Sequence, residues 1–315
     1  MIKIDANRVK GKISICALAY NHFNYLDDFF NGVLNQQLEN YHTEIIIGVD
    51  KCNDLTLEKC LEYKSRFPDL IKLIIHPFRV GMMQNFVNVL ENADGEYIAF
   101  CECDDYWVGE NKLVEQINIL IQNNDAGICF TDIKILKPND SFFTDNWATI
   151  KKNKYTIEDI IEFNVITTCS VVMKNNLDSI IINQLMKFEV GDWPLYILSM
   201  LKDNTNAIYS DKVTAVYRQH DGGIHSTKNT LQRLVITTSV YKSMMDIMRL
   251  KRTKQLLTRA LAKNYYSMGV FETDKTNARS NYVLSIKKLN YFNLKFPLFS
   301  ALRYLLSFTG NRGHF

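Results

Sequence analysis

Three carboxylates fall within four residues: Glu102, Asp104 and Asp105, in the run Phe100-Cys-Glu-Cys-Asp-Asp-Tyr-Trp107. They follow an apolar stretch, residues 97–101, that reads as a buried strand. Acids crowded at the end of such a strand repel one another and lose solvation, and a cation relieves both costs. Oxygen donors of this kind suit Mg²⁺ or Mn²⁺, ions that complete their shells with substrate phosphates. A plainer reading is a solvated acidic turn with Asp104 as a helix cap. A fourth carboxylate, Asp192, stands ahead of an apolar helical stretch in Asp192-Trp-Pro194. The positive end of a helix dipole favours its ionised form, which is what a general base needs to take a proton from a hydroxyl. An ordinary N-cap aspartate would have the same local sequence. Arg218 and His220 alternate on a strand-like segment, so both are expected on one face, toward phosphate. Arg79, shortly after a strand ending at His76, is either a phosphate or nucleotide contact or a surface charge.

The elements that would position these groups alternate. Residues 13–20, 44–50, 70–76, 97–101 and 126–136 read as strands. The segments between them carry apolar residues at helical spacing, for example Leu26, Phe29, Phe30, Val33 and Leu34, or Leu113, Ile117, Leu120 and Ile121. Residues 82–93 read as a helix closed by Asp94-Gly95 as its C-cap. Such alternation with short connections predicts an α/β fold, a mostly parallel sheet with helices on both faces, whose ligands bind beyond the carboxyl ends of the strands. That places Tyr20, Asn21, Asp50, Arg79 and residues 102–107 at the site. After Pro138 the pattern loosens: residues 139–149 read as a surface loop, a short helix begins near Thr156, strands are expected at 170–173 and 213–220, and a helical face runs on from Leu231.

Charge divides the chain. Residues 1–225 carry 21 Lys/Arg against 31 Asp/Glu, and residues 226–315 carry 16 against 3, so we expect a domain over 1–225 and a basic helical region over 226–315 with different partners. Residues 287–308 interleave aromatics and leucines with Lys and Arg, a pattern suited to lying on an anionic leaflet; the alternative is a helix docked on the catalytic domain. No nucleic-acid-reading motif accompanies the basic region. Seven cysteines, an odd number lying mostly in apolar runs, read as buried thiols of a reducing compartment, Cys101-Glu-Cys103 included. With no signal-like apolar segment in residues 1–12, the expectation is a cytoplasmic protein, peripheral on the inner face of the membrane through 287–308.

Several ordered pieces run together along the chain: Ile13-Ser-Ile-Cys-Ala-Leu-Ala-Tyr-Asn21 with Tyr25-Leu26; Val33-Leu-Asn-Gln36; Gly48-Val-Asp50 through Asp54-Leu-Thr56; Val80-Gly-Met-Met-Gln-Asn85; and Gly95-Glu-Tyr-Ile-Ala99. They continue with Glu102 to Trp107, Lys112-Leu113 and Gln116, Gly191-Asp-Trp193, and Tyr217-Arg-Gln-His220 with Gly222-Gly223. In that order, over residues 12–225, the chain resembles glycosyltransferase family 2, nucleotide-diphospho-sugar transferases of the GT-A fold. The resemblance implies a metal-dependent, inverting enzyme of hexosyltransferase type in surface polysaccharide synthesis, with a UDP-sugar donor and a glycan or lipid-linked acceptor. It implies Asp104 as ligand of the Mn²⁺ or Mg²⁺ that bridges the donor diphosphate, with Glu102 in the first acid position and Asp105 beside them. Asp50, Ala19, Tyr20 and Asn21 would face the nucleotide, Asp192 would be the base, and Arg218 and His220 would flank the phosphates. The chain departs from the family pattern in Val49-Asp-Lys-Cys-Asn53, with one acid where two are usual, and in His225, where an aromatic is usual. Two other classes share features with this reading. A sugar-nucleotide pyrophosphorylase would want a Gly-rich basic loop where Ala19-Tyr-Asn-His-Phe-Asn24 stands, and a non-catalytic nucleotide-sugar-binding protein would not need Asp104 and Asp192.

Overall fold

The computed structural model describes residues 8–38, 40–144, 151–223 and 227–290. The first half runs β1 (Val9–Ala19), α1 (Leu26–Leu34), β2 (His42–Val49), α2 (Thr56–Arg66), β3 (Ile71–Ile75), α3 (Met82–Glu91), β4 (Gly95–Phe100), β5 (Tyr106–Trp107), α4 (Lys112–Gln122) and β6 (Ala126–Leu136). There follow β7 (Phe142–Thr144), β8 (Lys154–Tyr155), α5 (Ile157–Glu162), a single 3-10 turn (Thr168–Ser170), β9 (Val172–Lys174), α6 (Ser179–Leu185), α7 (Asp192–Asp203) and β10 (Asn206–Arg218). Three helices close the described chain: α8 (Thr230–Ile247), α9 (Lys251–Phe271) and α10 (Lys275–Asn290).

One sheet holds the strands in the order β3-β2-β1-β4-β9-β6-β10-β5. β3, β2, β1 and β4 pair in parallel, as do β6 and β10, while β9 runs antiparallel between β4 and β6 and β5 antiparallel to β10. In β2 the run Ile45 to Val49 is buried without alternation, as is Ile13 to Ala17 in β1, so both faces of the central strands are covered. The expected α/β architecture is thus the observed one. Parallel pairing of β1 with β2 and β4 (Cys16 opposite Ile46 and Phe100) brings their carboxyl ends to one edge, where the turns after Ala19, Val49 and Phe100 meet.

Gly95 is not a helix cap. α3 ends at Glu91 with Asn92 as its C-cap, and Gly95 opens β4, where an added Cβ would lie 2.7 Å from the Ser14 backbone nitrogen. β10 starts earlier than expected and stops at Arg218, which leaves His220 in the turn beyond it. The chain separates into two compact units, residues 1–187 with 191–223, and residues 188–190 with 224–315. In the second unit Asn264 Nδ2 donates to the Leu234 carbonyl (2.8 Å) and Thr238 Oγ1 (2.7 Å), tying α9 to α8. The fully buried Tyr282 of α10 packs where Gly269 lacks a side chain. All seven cysteines are unpaired thiols, six of them buried. Among the described residues no helix is long and apolar enough to cross a membrane. His225 and most of 287–308 lie outside the described residues.

Candidate active site

At the edge where β1 and β4 end, three side chains converge. His220 Nε2 lies 3.0 Å from Asp104 Oδ2, and His22 Nε2 lies 3.8 Å from the same oxygen. One ligand atom from each residue falls within 4.8 Å of the other two. Each residue arrives by a different route. His22 sits in the turn after β1, where Asn21 takes a left-handed conformation (φ 56°) and is pinned to the next strand's loop by accepting from the Asn53 N–H (2.8 Å). Asparagine tolerates that conformation better than most residues. The His22 N–H itself donates to Thr56 Oγ1 (2.8 Å). Asp104 follows β4, and its turn is fastened to β1 by a bond from the Cys103 N–H to the Leu18 carbonyl (3.2 Å). The Tyr25 ring packs 4.9 Å from that of His220.

Burial holds the His22 imidazole below its ordinary pKa despite Asp104, which favours the neutral ring that a metal ligand needs. Burial alone would raise Asp104, but the positive charge that His22 carries when protonated, and then the hydrogen bond and charge of His220, outweigh it and hold the carboxylate below its usual range. A carboxylate flanked by imidazole nitrogens is a donor set that fits a divalent ion.

The other two acids expected as ligands, Glu102 and Asp105, lie outside this group of three. Glu102 Oε2 accepts from the Leu18 N–H (2.9 Å), and burial, then the charge of Asp104, push its carboxyl up to about 8. Asp105 is 3% exposed and accepts from the Arg218 N–H (2.9 Å), with burial and Asp104 pushing it well above the carboxylate range. Nor is Asp104 a helix cap, since Asn111 occupies that position on α4. Arg218, expected on the donor phosphates, is engaged elsewhere. Its guanidinium donates to Asp28 (2.7 Å) and the Asp104 carbonyl (3.0 Å), and lies over the Tyr25 and Tyr106 rings. With its backbone on Asp105 and its side chain on the Asp104 carbonyl, Arg218 fixes the acidic turn.

Asp192 opens α7 as its first helical residue, with Gly191 as N-cap and no side-chain capping bond, so it is not the ordinary capping aspartate. Thr168 Oγ1 donates to Asp192 Oδ2 (3.0 Å), and Trp193 Nε1 anchors the helix start on the Ile160 carbonyl (2.7 Å). Gly191 is required there because a Cβ would sit 2.4 Å from the Phe86 ring. The Glu102 carboxyl feels the charges of both Asp104 and Asp192, so the metal candidate and the base candidate both lie close to it.

Around the nucleotide candidates, Asp50 is 5% exposed and its carboxylate accepts from the N–H groups of Lys51 (2.8 Å), Val80 (2.9 Å) and Gly81 (2.9 Å). It fastens the end of β2 to the turn that starts α3, where Gly81 has φ 83°. Ala19 is fully buried and offers only backbone to a ligand. The Arg79 guanidinium lies 4.4 Å from the Tyr20 ring centroid, an exposed cation stacked on an aromatic beside Asp50. The sequence alone does not single out His22, Thr168 or Asp28. The position of His22 directly after Tyr20-Asn21 is the one available signal, whereas Thr168 and Asp28 come near the site only through tertiary packing.

The family model for "Glycosyl transferase family 2" matches residues 14–181. The chain is 28% identical over 224 residues to UDP-Glc:alpha-D-GlcNAc-diphosphoundecaprenol beta-1,3-glucosyltransferase WfgD of Escherichia coli, covering 69% of this chain and 80% of that one. Among solved structures it is similar to S. aureus TarS 1-349 in complex with UDP-GlcNAc (TM-score 0.58, 14% identity, 87% of this chain and 79% of that one). It is likewise similar to the mannosyltransferase PcManGT from Pyrobaculum calidifontis in complex with GDP-Man and Mn²⁺ (TM-score 0.59, 13% identity, 98% and 84%).

Proposed function

The chain belongs to glycosyl transferase family 2 and has the GT-A fold, and from that membership and the geometry above we propose that it transfers a sugar, with inversion, from a nucleotide diphosphate to an acceptor hydroxyl. The observation that carries this is the pairing of Asp104, held between His22 and His220, with Asp192, held by Thr168, both close to Glu102. In our reading the donor is a UDP-sugar and the acceptor a surface-polysaccharide precursor on a lipid carrier; the name of WfgD prints a UDP-Glc donor and an alpha-D-GlcNAc-diphosphoundecaprenol acceptor.

Asp192 takes the proton of the acceptor hydroxyl while that oxygen forms its bond to the anomeric carbon. The bond from that carbon to the diphosphate breaks in the same displacement, and its electron pair leaves with the nucleotide. Thr168 keeps one Asp192 oxygen engaged and so aims the other. Asp104, His22 and His220 would hold the metal, and the two nitrogen donors favour Mn²⁺ over Mg²⁺, which prefers an all-oxygen shell. When bound, that ion supplies positive charge to the departing diphosphate. The Tyr20–Arg79 pair is the surface on which we place the nucleotide base, with Asp50 acting through the turn it fastens. Residues 287–308 we read as a membrane-contacting segment.

Thermal shift across a panel of nucleotide sugars with Mn²⁺ should reveal the donor, and chelation should abolish transfer reversibly. Full activity in chelator, or in Asp104→Ala, would overturn the metal part of this reading.

A further inference from the structure

The corner between α8 and α9 places an apolar side chain inside a cluster of cations. Residues 249–252 read Arg-Leu-Lys-Arg, all four are exposed, and Leu250, at 69%, is the most exposed large apolar side chain among the described residues. Among those residues Arg249 and Lys251 have no ion-pair partner.

Folding gains little from this arrangement. Leu250 is the N-cap of α9 and offers no capping oxygen, in a position where Ser, Thr, Asp or Asn stabilises a helix. The first turn of α9 holds no acid, and its cations Lys251 and Arg252 oppose the positive end of the helix dipole. An anionic bilayer reverses each of these penalties. Phosphates meet the cations and the open N–H groups of the helix end, and Leu250 enters the acyl boundary. The charge is also regional, with 16 Lys/Arg against 3 Asp/Glu in residues 226–315 and an acidic excess before them.

We propose that the α8–α9 corner docks on an anionic membrane surface, with Leu250 inserted and Arg249, Lys251 and Arg252 on the headgroups. This names a contact separate from residues 287–308. It rests on the proposed function only in giving a lipid-linked acceptor a surface on which to be met.

The test uses the full chain and vesicles of phosphatidylcholine with or without phosphatidylglycerol. The wild type should co-sediment with the anionic vesicles and stay in solution with the neutral ones. Replacing both Arg249 and Lys251 with Ser should weaken partitioning by about 30-fold. In Leu250→Trp, the added emission over wild type should shift to the blue on anionic vesicles and be quenched by brominated acyl chains. Undiminished binding of the double variant, or an emission from the introduced indole that stays at its aqueous wavelength on saturating vesicles, would overturn the proposal. Transfer to a soluble acceptor should be equal in wild type and variants. If no transfer is found with any donor, the enzymatic reading fails while the vesicle result stands.

Discussion

His22 and His220 reach one oxygen of Asp104 from two turns that are nearly two hundred residues apart in the chain. If they are ligands, His22→Ala and His220→Ala should each weaken Mn²⁺ binding, measured by calorimetry in the presence of nucleotide, by roughly tenfold or more. Glu102→Gln should leave it within about threefold of wild type, because that carboxyl is hydrogen-bonded to Leu18 and outside the group. Equal losses in all three variants would mean that the acid cluster, not the histidine pair, holds the ion. At Asp192 the bond from Thr168 serves orientation. Thr168→Val should lower kcat by about tenfold at an unchanged donor KM, and Thr168→Ser should recover most of it. A rise in KM with kcat intact would move Thr168 from positioning the base to binding the donor.

The strands and helices before Pro138 follow from their periodicity, because a sheet buried on both faces leaves long apolar runs between amphipathic helices. What the residues do not reveal is mostly short or dictated by neighbours. β5 and β8 are two residues each, paired on β10, and α6 is a seven-residue helix capped by Asp178. At the candidate site, the surroundings of Asp104 and Asp192 allow a metal ligand and a base but equally a helix cap, and it is the resemblance to the family that favours the first reading for each. The inward turn of Asp105 depends on Arg218, more than a hundred residues away, and no local spacing encodes it. Lys112 is a further case. It is 2% exposed, its ammonium lies 4.8 Å from the Trp107 ring and donates to the Ser170 carbonyl (3.2 Å), and burial pushes its pKa down to about 8. Below pH 8 the folded state carries the cost of a buried charge. Between about 8 and 10.5 the folded form is neutral while the unfolded form still binds a proton, so stability from this group rises with pH. Urea unfolding of wild type and Lys112→Met should therefore show the difference moving toward the wild type across that window, by about 3 kcal/mol in total. A difference that is flat with pH would show that Lys112 stays charged when folded.

For the whole molecule, the expected α/β sheet and family membership are borne out, and the chain separates into two compact units, the first of which holds both Asp104 and Asp192. The central claim is that the first unit uses Asp192 as a base on a bound nucleotide sugar. The most direct measurement pairs donor affinity and turnover in full-length Asp192→Asn with Mn²⁺ present, by calorimetry and product release. Asparagine keeps an oxygen for Thr168 but cannot accept the proton, so the account predicts donor affinity within about twofold of wild type and turnover lower by at least about 10²-fold. Turnover that survives the substitution, or donor affinity that collapses along with it, would contradict the account.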